Sequence, residues 1–157
     1  MNKTEFYRQL LEQTQVLIAD EKDIIANMAN ISALLFESLE QVNWAGFYRM
    51  VDQELVLGPF QGKIACIRIP VGKGVCGTAA SEVKTQRIAD VHQFSGHIAC
   101  DAASNSEIVI PVTYQGELLA VLDIDSVAFA RFDEEDQQGL EALVRCLEQN
   151  IATYGVN

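Results

Sequence analysis

The sequence lacks long hydrophobic runs, an excess of basic side chains and low-complexity segments. No stretch approaches the roughly 18 apolar residues that span a bilayer, and the N-terminus lacks the basic and apolar regions of a signal peptide. Because 11 basic side chains stand against 22 acidic ones, the net charge of -11 at pH 7 would repel phosphate backbones and anionic lipid headgroups. We therefore expect no nucleic-acid or membrane partner and a cytoplasmic location.

Proline is scarce, with 3 residues in a chain of 157, and no internal repeat or linker is visible. At 49% hydrophobic and 21% charged residues, the composition is typical of a soluble globular protein. A chain of this length can bury roughly two-thirds of its unfolded surface around one core. We predict a single domain over residues 1–157.

Apolar side chains at helical spacing predict two helices near the start of the chain and one at its end. Residues 4–18 form the first and residues 21–40 the second, which Asp20 is expected to cap. The apolar face of the second helix is made by Ile24, Met28, Ile31, Leu35 and Leu39. Asp133 is expected to cap the closing helix, whose apolar face contains Leu140, Leu143, Val144, Leu147 and Ile151.

Short segments rich in branched and aromatic residues predict about six strands between these helices. Residues 43–50 and 54–60 form an antiparallel pair, "ACIRIP" (65–70) a third strand, and 85–90 a brief one. The strongest signal is a hairpin of residues 107–115 and 117–125 about Gly116. The order predicts an α+β fold, an antiparallel sheet with the N- and C-terminal helices packed on one face.

Four cysteines occur in a chain without secretion signals, so disulfides that only stabilise the fold are not expected. Cys146 lies beside the apolar face of the last helix and is predicted to be a core residue. The position of Cys66 on the third strand fits a core residue equally well. Cys76 is expected near the N-terminus of a short helix, where the helix dipole favours a thiolate. Cys100 lies in a polar loop. The last two positions suit reactivity better than burial.

Three acidic residues are expected to meet at one end of the hairpin. Asp123 and Asp125 flank Ile124 and so point to one face of the sheet, and pairing about Gly116 places Glu107 opposite Asp125. Like charges at close range raise at least one pKa unless a cation is bound. The cluster is therefore either a solvent-exposed strand end or a pocket that accepts an ammonium and supplies a proton.

Two other kinds of site are disfavoured. The glycines of "GKGVCGTAA" match neither the P-loop spacing nor the dinucleotide pattern. His92, His97 and Cys100 lie near one another in sequence, but they lack the paired spacing of structural zinc sites. We expect no metal site.

The segments "NWAGFY", "LVLGPFQGKIACIRIPVGKGVCGTA", "HIACDAASNSEIVIPV" and "VLDIDS" together closely resemble the free methionine-(R)-sulfoxide reductases, single-domain proteins of the GAF fold. The resemblance runs from about residue 4 to 152. It implies a GAF-like fold and reduction of free methionine (R)-S-oxide to methionine. It also implies that no cofactor is bound and that thioredoxin is the electron donor.

The resemblance also implies roles for individual residues. Cys100 matches the nucleophile, and Cys66 and Cys76 match two further redox cysteines, one or both of which resolve the oxidised nucleophile. Glu107 and Asp125 are candidate proton donors and Asp123 a candidate for the substrate ammonium. The substrate carboxylate is assigned to loop amides around Ile98, Ala99 and Cys100, and the wall of the pocket to Trp44 and Tyr48.

Two alternatives stay open at this point. The first is a non-catalytic GAF module that senses a small molecule, and the second is a redox switch whose disulfide controls a protein partner. The acids would repel a nucleotide phosphate, which argues against a cyclic-nucleotide sensor. A homodimer through the terminal helices is a further expectation.

Overall fold

Two capped helices open the chain. The computed structural model describes residues 1–96 and 103–156. Helix α1 spans Lys3–Ile18 and helix α2 spans Ile24–Ser38. The side chain of Asp23 accepts the amide hydrogen of Ala26 and caps α2, so the expectation that Asp20 caps this helix is wrong. A capping side chain must directly precede the first helical residue, and Asp20 lies in the turn before it.

Six strands form one antiparallel sheet, in which they lie side by side in the order β3-β2-β1-β6-β5-β4. Strands β1 (Val42–Val51), β2 (Glu54–Gly62) and β3 (Arg68–Pro70) come first, followed by helix α3 (Gly74–Glu82). Strand β4 (Gln86–Ile88), a 3-10 turn (Val91–Gln93), β5 (Ser106–Tyr114), β6 (Glu117–Ser126) and helix α4 (Glu134–Tyr154) complete the described chain. The predicted α+β class and antiparallel sheet are confirmed.

The third strand is shorter than the sequence predicts. Only Arg68, Ile69 and Pro70 pair with β2, whereas Cys66 lies in the connection before them. There the amide of Leu57 donates to the carbonyl of Ile67 at 2.8 Å, outside the regular ladder. We call residues 63–67 the 63–67 loop.

The β5–β6 hairpin turns through Gln115 and Gly116, both of which have positive φ angles. This two-residue turn alone would pair residues whose numbers sum to 231, as Tyr114 and Glu117 do. Beyond Thr113, β6 advances by two residues against one on β5, so Leu119 is an extra residue in a bulge. The bulge shifts every later pair to the sum of 232, which is the symmetry about Gly116 that the sequence predicts.

The two faces of the sheet carry different cores. One face packs against α2 and α4, with α1 packed on α4 on the same side, and its strands contribute alternate residues such as Phe47, Ile108, Leu122 and Ile124. The other face is covered by α3 and carries Trp44, Tyr48, Val109 and Cys76. The terminal helices are thus on one face, as predicted, which leaves the opposite face for a site.

Helix α4 is fixed to α1 through a buried acidic residue. Asp136 accepts hydrogen bonds from the Tyr7 hydroxyl at 2.6 Å and from Lys3 Nζ at 2.7 Å, and its oxygen lies 3.3 Å from Arg131. Asp136 also forms a capping box with Asp133, which confirms Asp133 as the cap. Each lone pair of this buried carboxylate therefore has a donor.

Among the described helices, none is long and apolar enough to cross a membrane.

The substitution Gly139→Ala should destabilise the protein, although alanine is favoured over glycine inside a helix by about 1 kcal/mol. A Cβ atom at position 139 would lie 2.2 Å from Cγ of Tyr7, whose ring cannot retreat without breaking its bond to Asp136. We expect urea denaturation to show a loss of about 1–3 kcal/mol in the free energy of unfolding. The exposed neighbour substitution Gln138→Ala is the control and should stay within about 0.5 kcal/mol. A more stable Gly139→Ala variant would contradict this packing.

Candidate functional site

A cavity opens on the sheet face opposite the three long helices. The ends of β1, β5 and β6 form its floor, and α3 and the 63–67 loop form its walls. Its lining residues come from six separate parts of the chain: Trp44, Tyr48, Ile64, Ala65, Ile69, Lys73, Gly74, Val75, Cys76, Ser104, Glu107, Asp123 and Asp125. The acids and aromatic residues singled out from the sequence are thus brought to one place.

The register of the sheet sets the positions of the acids. Asp125 on β6 pairs with Glu107 on one side and with Trp44 on the other, so these three residues form one row across three strands. Asp123 lies in the next row, opposite Gly46. The predicted pairing of Glu107 with Asp125 is confirmed. Position 46 requires glycine because a Cβ atom there would lie 2.3 Å from Cβ of Phe60 on the neighbouring strand.

Burial controls the protonation of these acids. Glu107 is 7% exposed and Asp123 is 5% exposed. Burial, followed by the negative charges of Asp123 and Asp125, raises the pKa of Glu107 well above its usual range. Glu107 therefore holds its proton to higher pH than an exposed glutamate, which suits a group that donates a proton inside a closed site.

Cys76 is more deeply buried than the sequence predicts. It lies in the first turn of α3 but is only 4% exposed, and its Sγ is 3.9 Å from a carboxylate oxygen of Glu107. Burial, followed by the charges of Asp123, Glu107 and Asp125, raises the pKa of the Cys76 thiol well above its usual range. The expectation that this position suits reactivity better than burial is wrong as to burial, and desolvation and the neighbouring acids oppose the helix dipole. The redox role of Cys76 stays a prediction.

Two stacked aromatic side chains form one wall and hold the 63–67 loop. The rings of Trp44 and Tyr48 are stacked with centroids 5.9 Å apart, and Phe60 stacks on the far side of Trp44 at 5.1 Å. Trp44 Nε1 donates to the carbonyl of Lys63 at 3.1 Å. The Tyr48 hydroxyl donates to the carbonyl of Cys66 at 2.9 Å. Each of the two side chains therefore lines the cavity and also has a polar atom bonded to the loop.

Two of the three redox cysteines of the sequence prediction lie within the described residues, and their surroundings differ. Cys66 is half-buried in the 63–67 loop rather than on a strand. Cys76 is a buried free thiol at the base of the cavity. Cys100, Ile98 and Ala99 lie outside the described residues. The roles that the sequence predicts for Cys100, Ile98 and Ala99 therefore stay predictions.

Three donor atoms could in principle hold a metal ion, although the sequence predicts no such site. One atom each from Cys76, Glu107 and Asp123 lies within 4.8 Å of the others. Metal binding requires a deprotonated thiol and carboxylate, whereas the pKa values of Cys76 and Glu107 are both raised. These groups are better suited to holding protons than to holding a cation.

Sequence reasoning missed several residues of the cavity. Ser104 is buried at its edge, and its Oγ accepts a hydrogen bond from Asn43 Nδ2 at 3.1 Å, which leaves the hydroxyl hydrogen able to donate. Lys73 directly precedes α3 and brings a positive charge to the rim. Their neighbours in sequence, Asn105 and Gly74, carry turn signals that favour a loop but do not indicate which side chains face the cavity.

Comparison with known proteins gives the family. A GAF domain model matches residues 26–152. The free methionine-R-sulfoxide reductase of Escherichia coli (strain K12) is 60% identical over 98% of this chain and 93% of its own. The structure of fRMsr of Staphylococcus aureus in complex with substrate has a TM-score of 0.89 at 53% identity, covering 92% of this chain and 95% of that chain. For the free methionine-R-sulfoxide reductase of Neisseria meningitidis, in complex with its substrate, the TM-score is 0.94 at 43% identity over 98% of this chain and 93% of that chain.

These matches agree with the motifs around the cysteines and acids, and they cover nearly the whole chain. The fold, with its six-stranded antiparallel sheet, is that of a GAF domain. The chain belongs to the free methionine-R-sulfoxide reductase family of GAF-domain proteins.

Proposed function

We propose that this protein reduces free L-methionine (R)-S-oxide to L-methionine, with thioredoxin returning the enzyme to its reduced form. The observation that carries the proposal is the buried Glu107, held protonated beside Asp123 and Asp125 in a cavity walled by Trp44. Relatives that cover nearly the whole chain, such as the one from Escherichia coli, have the same activity in their names. No bound cofactor is required by this chemistry.

In the proposed first step, the Cys100 thiolate attacks the sulfoxide sulfur. Glu107 donates its proton to the sulfoxide oxygen, which weakens the bond between sulfur and oxygen. The protonated oxygen then moves from the substrate sulfur to the Cys100 sulfur as the bond between the two sulfurs breaks. Methionine leaves with that electron pair, and Cys100 becomes a sulfenic acid. Asp125, paired with Glu107 across the hairpin, is the alternative proton donor.

The polar end of the substrate is assigned to other groups. Asp123 is buried one row further along β6, where a fixed carboxylate would attract the α-ammonium group. Amides around Ile98 to Cys100 would hold the α-carboxylate. The stacked rings of Trp44 and Tyr48 offer an apolar surface for the S-methyl group.

The second step needs a thiol that resolves the sulfenic acid. Its sulfur displaces the oxygen as water and forms a disulfide with Cys100, so two electrons pass from two thiols to the substrate. The sequence leaves Cys66 and Cys76 as candidates. The surroundings of Cys76, buried and with a raised pKa, favour Cys66 as the resolving residue.

Turnover of the two free epimers tests this function directly. We expect NADPH oxidation, coupled through thioredoxin and its reductase, with free L-methionine (R)-sulfoxide only. The free S epimer and a peptide-bound sulfoxide should give background rates. If reduced, folded protein turned over none of these three sulfoxides, the sensor and redox-switch hypotheses would replace the reductase hypothesis.

Cysteine variants are the matched controls for this measurement. Cys100→Ser should lose turnover even with dithiothreitol as reductant, because the nucleophile is gone. Cys66→Ser should still release methionine with dithiothreitol but lose turnover driven by thioredoxin. Cys146→Ser, which lies away from the cavity, should behave as the wild type. Retained turnover in Cys100→Ser would sink the assignment of the nucleophile.

Glu107 and Asp123 should differ in the kinetic constant that they control. Glu107→Gln removes the proton donor and should lower kcat by about 100-fold or more. Asp123→Asn removes a binding charge and should raise KM by about tenfold with a smaller effect on kcat. Steady-state kinetics with free (R)-sulfoxide measure both, with exposed Glu117→Gln as the control. The opposite pattern would exchange the two roles.

The raised pKa of Glu107 also predicts how stability depends on pH. A carboxyl group whose pKa is raised in the folded state contributes fully below its unfolded pKa of 4.5, and this contribution is lost as pH rises through the raised value. Because glutamine cannot ionise, Glu107→Gln should be more stable than the wild type at pH 8. Urea denaturation should show this difference shrinking below pH 4.5, with no such trend for Glu117→Gln. A difference independent of pH would mean that Glu107 titrates normally.

A further inference from the structure

The 63–67 loop displays two large apolar side chains beside a redox cysteine. Ile64 is 92% exposed and Ile67 is 67% exposed, and Cys66 lies between Ala65 and Ile67. Among the described residues, Ile64 is the most exposed large hydrophobic side chain. Adjacent exposed apolar residues are typical of a contact surface.

The exposure of these residues is not a consequence of a loosely held backbone. Three hydrogen bonds fix the loop from below: Trp44 Nε1 to the Lys63 carbonyl, the Tyr48 hydroxyl to the Cys66 carbonyl, and the Leu57 amide to the Ile67 carbonyl. Both ends of the loop are therefore tied to the sheet. The loop backbone is hydrogen-bonded to residues of the sheet, whereas the side chains of Ile64 and Ile67 are exposed to solvent.

The charge around the loop is opposite to that of the chain as a whole. Residues 55–81 contain three basic residues and no acidic residue, in a chain that carries -11 overall. Arg68 pairs with Glu54, whereas Lys63 and Lys73 are exposed and form no ion pair within the described residues. An acidic partner would be repelled by most of this protein but not here.

We propose that Ile64, Ile67 and Lys63 form the docking surface for the protein dithiol that reduces the oxidised enzyme. This inference rests on the proposed function. A partner with an apolar patch around its thiols and a negatively charged rim would complement the loop. The surface would place the partner directly over Cys66.

The electron transfer follows from this placement. A thiolate of the partner attacks the Cys66 sulfur of the enzyme disulfide, which releases the other enzyme sulfur and forms a mixed disulfide. The second thiol of the partner then attacks the partner's first sulfur in this mixed disulfide and releases Cys66 as a thiol. The partner ends as a disulfide, and two electrons and two protons have passed to the enzyme.

The test compares turnover driven by thioredoxin with turnover driven by dithiothreitol, on free (R)-sulfoxide. Ile67→Glu should raise the KM for thioredoxin by about tenfold or more and leave the dithiothreitol rate within twofold. Lys63→Glu should raise the same KM. Ile67→Ser, which introduces no charge, keeps the test independent of charge repulsion and should act in the same direction. The matched control is Val16→Glu, on an α1 residue that is 81% exposed and far from the loop in sequence, which should change neither rate.

Three results would overturn the docking surface. The first is an unchanged KM for thioredoxin in both Ile67 variants, and the second is an equal loss of the dithiothreitol rate. The third is a change in sedimentation from dimer to monomer in Ile67→Glu, because the loop would then contact a second copy of the chain. Absence of turnover in the wild type with dithiothreitol would instead overturn the proposed function itself.

Discussion

The placement of three carboxyl groups on one face of the sheet, with Glu107 and Asp123 buried and Asp125 partly buried, is the constraint on which the site depends. Taking a charge out of water costs several kcal/mol, and like charges close together add to that cost. The sheet cannot separate Glu107 from Asp125, because the ladder pairs them and a packed core holds both strands from the other side. Protonation is the remaining way to lower the energy, and the raised pKa of Glu107 expresses it.

A second buried acid in the same protein shows that burial alone does not produce this result. Asp136 is as deeply buried, but Lys3, Arg131 and the Tyr7 hydroxyl all surround it. Its negative charge is therefore compensated and fixes the terminal helices together. For Glu107, burial and then the charges of Asp123 and Asp125 raise the pKa, and its neighbour from α3 is a buried thiol. The contrast separates an acid that stabilises the fold from an acid arranged to exchange a proton.

The parts of the site that depend on local pairing could be predicted from the sequence. The meeting of Glu107 with Asp125 follows from strand alternation and a tight turn at Gly116. The agreement nevertheless required the bulge at Leu119, because the two-residue turn by itself would have offset the pair by one position. No residue in the hairpin signals that bulge. The prediction was therefore right in its outcome but incomplete in its physical reason.

Features that depend on packing between distant segments could not be predicted in the same way. The alternation in "ACIRIP" favours a strand through Cys66, but β2 offers pairing partners only to Arg68–Pro70. Nor does a helix terminus reveal whether its first turn faces water or the sheet, and this decides that Cys76 is a buried thiol with a raised pKa. Ser104 and Lys73 reach the cavity only because the fold brings their loops to it.

The different surroundings of Cys66 and Cys76 have a chemical logic under the proposed mechanism. Proton donation to a sulfoxide needs a closed site of low polarity, where Glu107 keeps its proton and Cys76 stays protonated. Disulfide exchange with a protein needs instead a sulfur that the partner can reach. Cys66 is only half-buried, in a loop that hydrogen bonds hold in place. Trp44 and Tyr48 connect the two requirements, since each ring lines the cavity while its polar atom holds the loop around Cys66. A change in either ring should therefore disturb substrate binding and electron delivery together, which is the reason to assign these roles with loop variants that leave the rings intact.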